Sequence, residues 1–198
     1  MDGRTFFKHW VNLYTWVALK LKKNEIKPRF KKWIGYCDYV KYKLQARDRQ
    51  LSNIMVNEIS KYVPDGVTIT TDVGQNQVWV AQSFALKDKQ RIFFSGGHGA
   101  MGYSLPAALG LCAATQEKVI SFNGDGGIQM NIQELNTVKE NNLPIKIFVF
   151  NNHSLGMIRH FQEMYFNSDF VQTTSNTGYN TPDFQKIALA YDIPYVSI

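Results

Sequence analysis

Asn123-Gly124-Asp125-Gly126-Gly127 sets one carboxylate inside a run of glycines, directly after the stretch Lys118 to Phe122. Glycines let a backbone approach a ligand closely, and their successive amides form a concave nest of donors that suits an anion such as phosphate. A carboxylate beside that nest repels phosphate unless a divalent cation lies between them. The arrangement therefore predicts Mg²⁺, which takes one or two protein oxygens together with substrate phosphates and water. Gly-Asp-Gly alone also reads as an ordinary turn. The next apolar run, residues 145–150, ends in Asn151-Asn152-His153-Ser154, so Asn152 leaves an adjacent strand 27 positions after Asp125 and can offer an amide oxygen to the same cation.

The elements that must position these groups follow from periodicity. Strand candidates at 67–71, 91–94, 118–122 and 145–150 alternate with helix candidates near 75–83 and at 104–114, 132–141, 155–165 and 182–191. Such βα alternation implies a three-layer α/β/α parallel sheet with ligands at the carboxyl ends of its strands. The polar and glycine clusters Asp72 to Asn76, Ser95 to Gly102, Asn123 to Gly127 and Asn151 to Gly156 each follow a strand, so four strand ends converge on one site. Asn131 is expected to cap the helix after the glycine nest, with Glu134 completing a capping box. Upstream, Ile54, Ile59, Tyr62 and Val63 mark a helix closed by Pro64-Asp65-Gly66. Tyr195-Val196-Ser197-Ile198 reads as the start of a further strand with nothing after it, so the domain is expected to be truncated at its C-terminus.

Residues 1–49 differ in character and form the first of two regions, a basic helical linker or the tail of a preceding domain, with residues 50–198 as the second. Phe6, Trp10, Leu13, Val17 and Leu21 recur at helical spacing over Thr5 to Leu21, and Pro28 ends any continuation. Residues 1–50 hold 13 Lys and Arg against 4 Asp and Glu, a net +9, whereas residues 51–198 hold 9 against 12, a net −3. Lys20, Lys22, Lys23, Lys27, Arg29, Lys31 and Lys32 crowd together with Trp33, Tyr36 and Tyr39. That cluster reads as a solvated helix face rather than a nucleic-acid arm, because no base-reading motif accompanies the charge.

Composition bounds the rest. With 198 residues, 44% hydrophobic and 19% charged, the chain can bury a real core, and it carries one large domain or one domain with a partial neighbour. Two cysteines, Cys37 and Cys112, without neighbouring Cys or His pairs, exclude a disulfide scaffold and a zinc ligand set, and fit a reducing cytoplasm. No run approaches the roughly 20 apolar residues of a membrane span, and Met1 to Lys23 lacks the pattern of a secretory signal.

Gly124-Asp125-Gly126, then 24 residues, then Asn151-Asn152, resembles the signature by which thiamine-diphosphate-dependent enzymes hold Mg²⁺ and the cofactor diphosphate. Residues 124–135, the segment Gly97 to Ala108 and the turn Asp72 to Trp79 resemble most the acetolactate synthase branch, in its large, catalytic subunit. The resemblance covers about residues 50 to 198 and corresponds to the pyrophosphate-binding domain, the last of three. It implies that Asp125, the Asn152 side chain and the Ser154 carbonyl are the metal ligands. It implies further that Gly74, Gln75 and Asn76 donate to the diphosphate, with Gly124, Gly126 and Gly127 beside them. The Gly99 carbonyl would accept from the cofactor's 4′-amino group, next to Ala100. Met101 would be the apolar wedge that bends the cofactor, although core packing explains a methionine there equally well without the family. Leu155, Gly156 and Met157 complete the implied cofactor set.

The activity implied is decarboxylation of a 2-keto acid such as pyruvate and its ligation to a second keto acid, with FAD a further cofactor that the full-length enzyme can carry. Another decarboxylase, oxidase or lyase of the superfamily, or a non-catalytic subunit of a split enzyme, is the alternative. The activating glutamate belongs to a pyrimidine-binding domain of the same or another subunit, so no residue here takes that role and a homo-oligomer is expected. Phe161 stands where biosynthetic acetolactate synthases usually have tryptophan, Asn76 where histidine is usual and His98 where an apolar residue is usual, so the acceptor can differ from that of the branched-chain pathway. His98, His153 and His160 read equally as acid/base groups or polar lining.

Overall fold

The computed structural model describes residues 28, 29, 31–33, 35, 36 and 51–198. The helix expected over Thr5 to Leu21, Cys37 and most of the basic cluster lie outside the described residues; Pro28, Arg29, residues 31–33, Gly35 and Tyr36 are helical. The chain divides after Arg49 into two units, and the second runs from Gln50 to Ile198.

In that unit the element order is α1 (Leu51–Tyr62), β1 (Thr68–Thr71), α2 (Gln75–Ser83), β2 (Arg91–Phe93), α3 (Ser104–Thr115), β3 (Val119–Gly124), α4 (Asp125–Gln129), α5 (Glu134–Glu140), β4 (Ile145–Phe150), α6 (Gly156–Tyr165), a 3₁₀ turn at Ser175–Thr177 and α7 (Phe184–Ala190). The four strands are parallel, in the order β2-β1-β3-β4. Thr68 pairs with both Arg91 and Val119, and Val119 with Ile145, so the strands start level. The chain moves from β1 to β2 on one side and returns to β3 on the other. Their carboxyl ends thus part at a topological switch point, where open α/β sheets bind ligands.

Period-two alternation in the strands assigns each side chain to a face. Ile69, Ile120 and Phe122, with Phe148 and Phe150, meet Val56 and Val63 at α1 and Val80 and Phe84 at α2. The opposite face of β4, with Ile145, Ile147 and Val149, packs on Leu105 of α3, Ile128 of α4, Leu135 and Val138 of α5, and Phe184 and Ile187 of α7. Burial on both faces is why these strands read as nearly continuous apolar runs. Phe122 is fully buried, stacked on Phe148 at 5.1 Å and Phe150 at 5.9 Å, with Phe84 edge-on at 6.0 Å.

Small hydroxyls interrupt the apolar core where α3 begins. Thr70 Oγ1 donates to the Ser104 carbonyl at 3.0 Å, Ser104 Oγ lies 2.9 Å from Ser121 Oγ, and Asn123 Nδ2 donates to Ser121 Oγ at 2.9 Å. All four residues are fully buried. Their short side chains bring the first turn of α3 onto β1 and β3, which seats the preceding loop above the strand ends.

Three expectations change. Tyr195 to Ile198 forms no strand, and Val196 and Ile198 are exposed, because none of these residues docks on the open edge of the sheet. Asn131 and Glu134 form no capping box. Asn131 Nδ2 instead donates to the Gly102 carbonyl at 2.7 Å, Glu134 accepts from Thr137 Oγ1, and α5 starts after Gln133 without a side-chain cap. The glycine nest itself turns into the short helix α4, which was not anticipated. A side-chain cap does occur at α7, where Asp183 accepts from the N–H groups of Gln185 and Lys186.

Phe122→Ala should lower the unfolding free energy by about 3–5 kcal/mol. Urea denaturation of the two chains measures it, and a loss below about 1 kcal/mol would mean that the aromatic stack is not the core of this face.

Candidate functional site

At the carboxyl ends of the strands lies a cleft of about 250 Å³ with walls from four loops. The turn after β1 supplies Gly74, Gln75 and Asn76, and the loop after β2 supplies Gly99 and Met101. Gly124 to Gly127 come from the end of β3 and α4, and Asn152, Ser154, Leu155, Gly156 and Met157 from the end of β4 and the start of α6. Ala100 stands outside it, with its N–H turned to Ser95 Oγ at 3.3 Å. Val73, Trp79, Phe150 and Ile158 also line the cleft, and sequence reasoning passed over them. Trp79 and Phe150 meet edge to face at 5.6 Å as an apolar wall. Trp79 follows Gln75 by one helical turn, a spacing that could have found it.

The fixed point of the cleft is a residue given no role by sequence. Asp72 follows β1 and is fully buried. Its Oδ1 accepts the N–H of Val73 at 2.8 Å and of Tyr103 at 3.2 Å, and its Oδ2 accepts the N–H of Gly102 at 3.0 Å. This carboxylate therefore ties the loop after β2 to the end of β1. A Cβ on Gly127 would overlap Asp72 Oδ2, so only glycine lets α4 approach from the third side. Burial raises the Asp72 pKa above its ordinary value, against the opposing pull of the three N–H donors.

Gly74, at φ 116°, makes the turn into α2, a conformation that a side chain would strain. The first N–H groups of α2 have no partner within the helix and carry the positive end of its dipole, a setting for an anion. Asn76 turns its side chain inward, accepting from Thr71 Oγ1 at 3.2 Å and donating to the Val73 carbonyl at 3.4 Å. Gln75 reaches across the cleft, where its Oε1 accepts from Asn152 Nδ2 at 3.0 Å.

Asp125 opens α4 and is buried. Its Oδ1 accepts the Gly126 N–H at 3.0 Å, and its Oδ2 the Ser154 N–H at 3.3 Å. Asn152 Oδ1 accepts that same Ser154 N–H at 3.2 Å. Two side-chain oxygens thus converge from different strand ends, beside a third residue that offers a carbonyl. One carboxylate, one amide oxygen and one carbonyl form an all-oxygen set, which suits a hard cation and leaves positions for a phosphate and water. Among the described residues no group of three His, Cys, Asp or Glu forms a metal cluster. Burial raises the Asp125 pKa, opposed by the Gly126 and Ser154 donors and by His153.

His153 takes a left-handed conformation, φ 51°, between Asn152 and Ser154, and its Nδ1 lies 2.8 Å from Thr181 Oγ1. His98 is exposed on its loop, and His160 lies 3.6 Å from Glu163 on α6. None of the three lines the cleft. Phe161 is half exposed, one turn beyond the cleft-lining Met157.

The family described as thiamine pyrophosphate enzyme, C-terminal TPP binding domain, matches residues 72–198. The chain is 34% identical over 189 residues to the acetolactate synthase isozyme 2 large subunit of Escherichia coli (strain K12), covering 89% of this chain and 34% of that relative. It is 38% identical over 184 residues to the acetolactate synthase large subunit of Lactococcus lactis subsp. lactis, covering 90% of this chain and 32% of that protein. A probable acetolactate synthase large subunit from Methanococcus aeolicus is 44% identical over 126 residues, 63% of this chain and 20% of its own length. The chain spans about a third of the length of the first two relatives.

The raised Asp72 pKa has a testable sign. Below the unfolded value, near 3.9, the group is protonated in both states and no charge is buried. Above the raised native value the cost of that charge is felt in full, so stability is lost as pH rises through the window between them. The unfolding free energy of the parent relative to that of Asp72→Asn should therefore fall from pH 4 to pH 7 in urea denaturation. A relative stability that rises instead would mean that the three N–H donors outweigh burial.

Proposed function

As the chain belongs to the thiamine pyrophosphate enzyme family through its C-terminal TPP-binding domain, we propose that its cleft holds thiamine diphosphate through Mg²⁺ within an acetolactate-synthase-like enzyme. The observation that carries this reading is the convergence of Asp125 Oδ2 and Asn152 Oδ1 on one N–H, at Ser154. Asp125, Asn152 and the Ser154 carbonyl would hold the metal. The opening N–H groups of α2, at Gln75 and Asn76, and the Gly127 amide would take the diphosphate oxygens, with the Gly126 amide engaged by Asp125 Oδ1. The Gly99 carbonyl and Met101, on the wall that Asp72 anchors, would meet the rest of the cofactor. When bound, thiamine diphosphate supplies the electron sink that lets a 2-keto acid lose CO₂. The chain's own residues bind, orient and exclude water, with Trp79 and Phe150 as an apolar wall.

The relatives are named acetolactate synthases, and with that activity the donor would be a 2-keto acid such as pyruvate and the acceptor a second keto acid. Phe161, one turn beyond the cleft-lining Met157, leaves the acceptor open to differ from that of the branched-chain pathway. The cleft is smaller than the roughly 300–1,000 Å³ of a self-contained small-molecule site, which fits a site finished by a pyrimidine-binding domain of the same or another subunit. That domain would bring the activating glutamate, and a homo-oligomer, FAD in the full-length enzyme and a cytoplasmic setting belong to the same reading.

Calorimetric titration with thiamine diphosphate tests it. Binding is expected with Mg²⁺, should vanish in EDTA, and should weaken at least tenfold in Asp125→Ala. No binding by the parent at millimolar cofactor would overturn the reading. The purified chain should not decarboxylate pyruvate until a pyrimidine-binding domain is added, and turnover by the chain alone would refute the split of roles.

A further inference from the structure

After α6 the chain returns as a strap over the loop that carries Asn152 and Ser154. The Leu155 N–H and Ser154 Oγ both donate to the Thr173 carbonyl, at 3.0 and 2.8 Å, and Ser154 bridges Thr174 in antiparallel fashion. Thr173 is buried and donates through Oγ1 to Gln162 Oε1 of α6 at 2.6 Å. Further on, Thr181 meets His153. Between these two anchor points the Tyr179 N–H donates to the Thr174 carbonyl at 3.0 Å, and the ring is carried down onto α4. Its hydroxyl would lie 3.1 Å from a Cβ on Gly126, flanked there by Leu155 and Met101.

That hydroxyl is buried and has no hydrogen-bond partner among the described residues. A buried donor left unpaired costs about 1–3 kcal/mol, so such groups in native proteins have a reason to be there. Gly126 donates its own N–H to Asp125 Oδ1 at 3.0 Å, so the hydroxyl over Gly126 stands beside the Asp125 carboxylate, with the Gln129 side chain next to it. Gln129 Nε2 donates to the Asp125 carbonyl at 2.8 Å. Of the acceptors at hand the carboxylate, which holds one N–H on each oxygen, is the stronger, because a hydrogen bond to a charged group is worth more.

We propose that Tyr179 is a positioning residue for the metal site: its hydroxyl, unpartnered beside Asp125 in the structure, closes onto that carboxylate when the cation binds and fixes the orientation in which the carboxylate meets it. This rests on the reading of Asp125 as a metal ligand. Asp125 would then be held from three directions, by its own helix at Gly126, by the metal loop at Ser154 and by the strap at Tyr179. Partners that orient a ligating carboxylate are typically worth 10–100-fold in metal affinity.

Tyr179→Phe keeps the ring over Gly126 and removes only the hydroxyl. At saturating thiamine diphosphate, the Mg²⁺ concentration for half-maximal binding should rise about tenfold, while the urea midpoint without ligands does not fall below that of the parent, since the variant loses only an unpaired hydroxyl. A half-saturation within twofold of the parent overturns the proposal. A midpoint that falls in step with affinity assigns the hydroxyl a purely structural role and overturns it as well. Failure of the parent to bind thiamine diphosphate with Mg²⁺ would sink the underlying reading and this role together, whereas a parent that binds beside an unaffected Tyr179→Phe sinks the role alone.

Discussion

The buried carboxylate of Asp72 is the constraint on which the cleft depends. One side chain satisfies three backbone N–H groups, two of them about thirty residues downstream, and so converts the loop after β2 from a surface excursion into a wall. Burying a charge away from water is costly unless it is paired or hydrogen-bonded, and here the donors are amides held in place by the strand and by the start of α3. The same carboxylate dictates glycine at 127, since α4 must pass against it. Position 72 thus joins β1, the loop after β2 and the glycine nest after β3 at the switch point of the sheet.

Around that point the sheet does simple work. Level registers bring the ends of β3 and β4 to one height, while β1 ends two residues earlier, opposite Phe122. The aromatic stack on one face and the aliphatic layer on the other keep them there. Where α3 meets the sheet, Thr70, Ser104, Ser121 and Asn123 replace large apolar groups by a short hydrogen-bonded row. Packing distance and loop position are set together by the size of those side chains.

Much of this was legible in the sequence. The apolar runs of the four strands and the polar clusters after them place the cleft, because alternation of strand and helix allows few other arrangements. Asp125 and Asn152 stand out because glycines and a strand end surround them. Local signals failed where a distant partner intervened. Asn131 has the type and spacing of a cap, yet the Gly102 carbonyl claims its amide. Asp72 reads as one polar residue in a turn, since its partners at 102 and 103 are far away in sequence. Tyr179 carries no motif, and its place over Gly126 exists only once the strap has folded back. Tyr195, Val196 and Ile198 favour a strand by propensity, but a strand exists only where its backbone pairs, and these residues do not pair.

The order of the segments along the chain has a consequence for synthesis on the ribosome. The nest at 124–127 and the loop at 151–156 emerge before the segment from Thr173 to Thr181, which clasps that loop at Ser154 and His153. A nascent chain paused before Thr173 would hold the glycine nest with the loop at 151–156 still unclasped. Because domains fold as units as they leave the ribosome, the cleft is completed late, and whatever binds it stabilises only the finished domain.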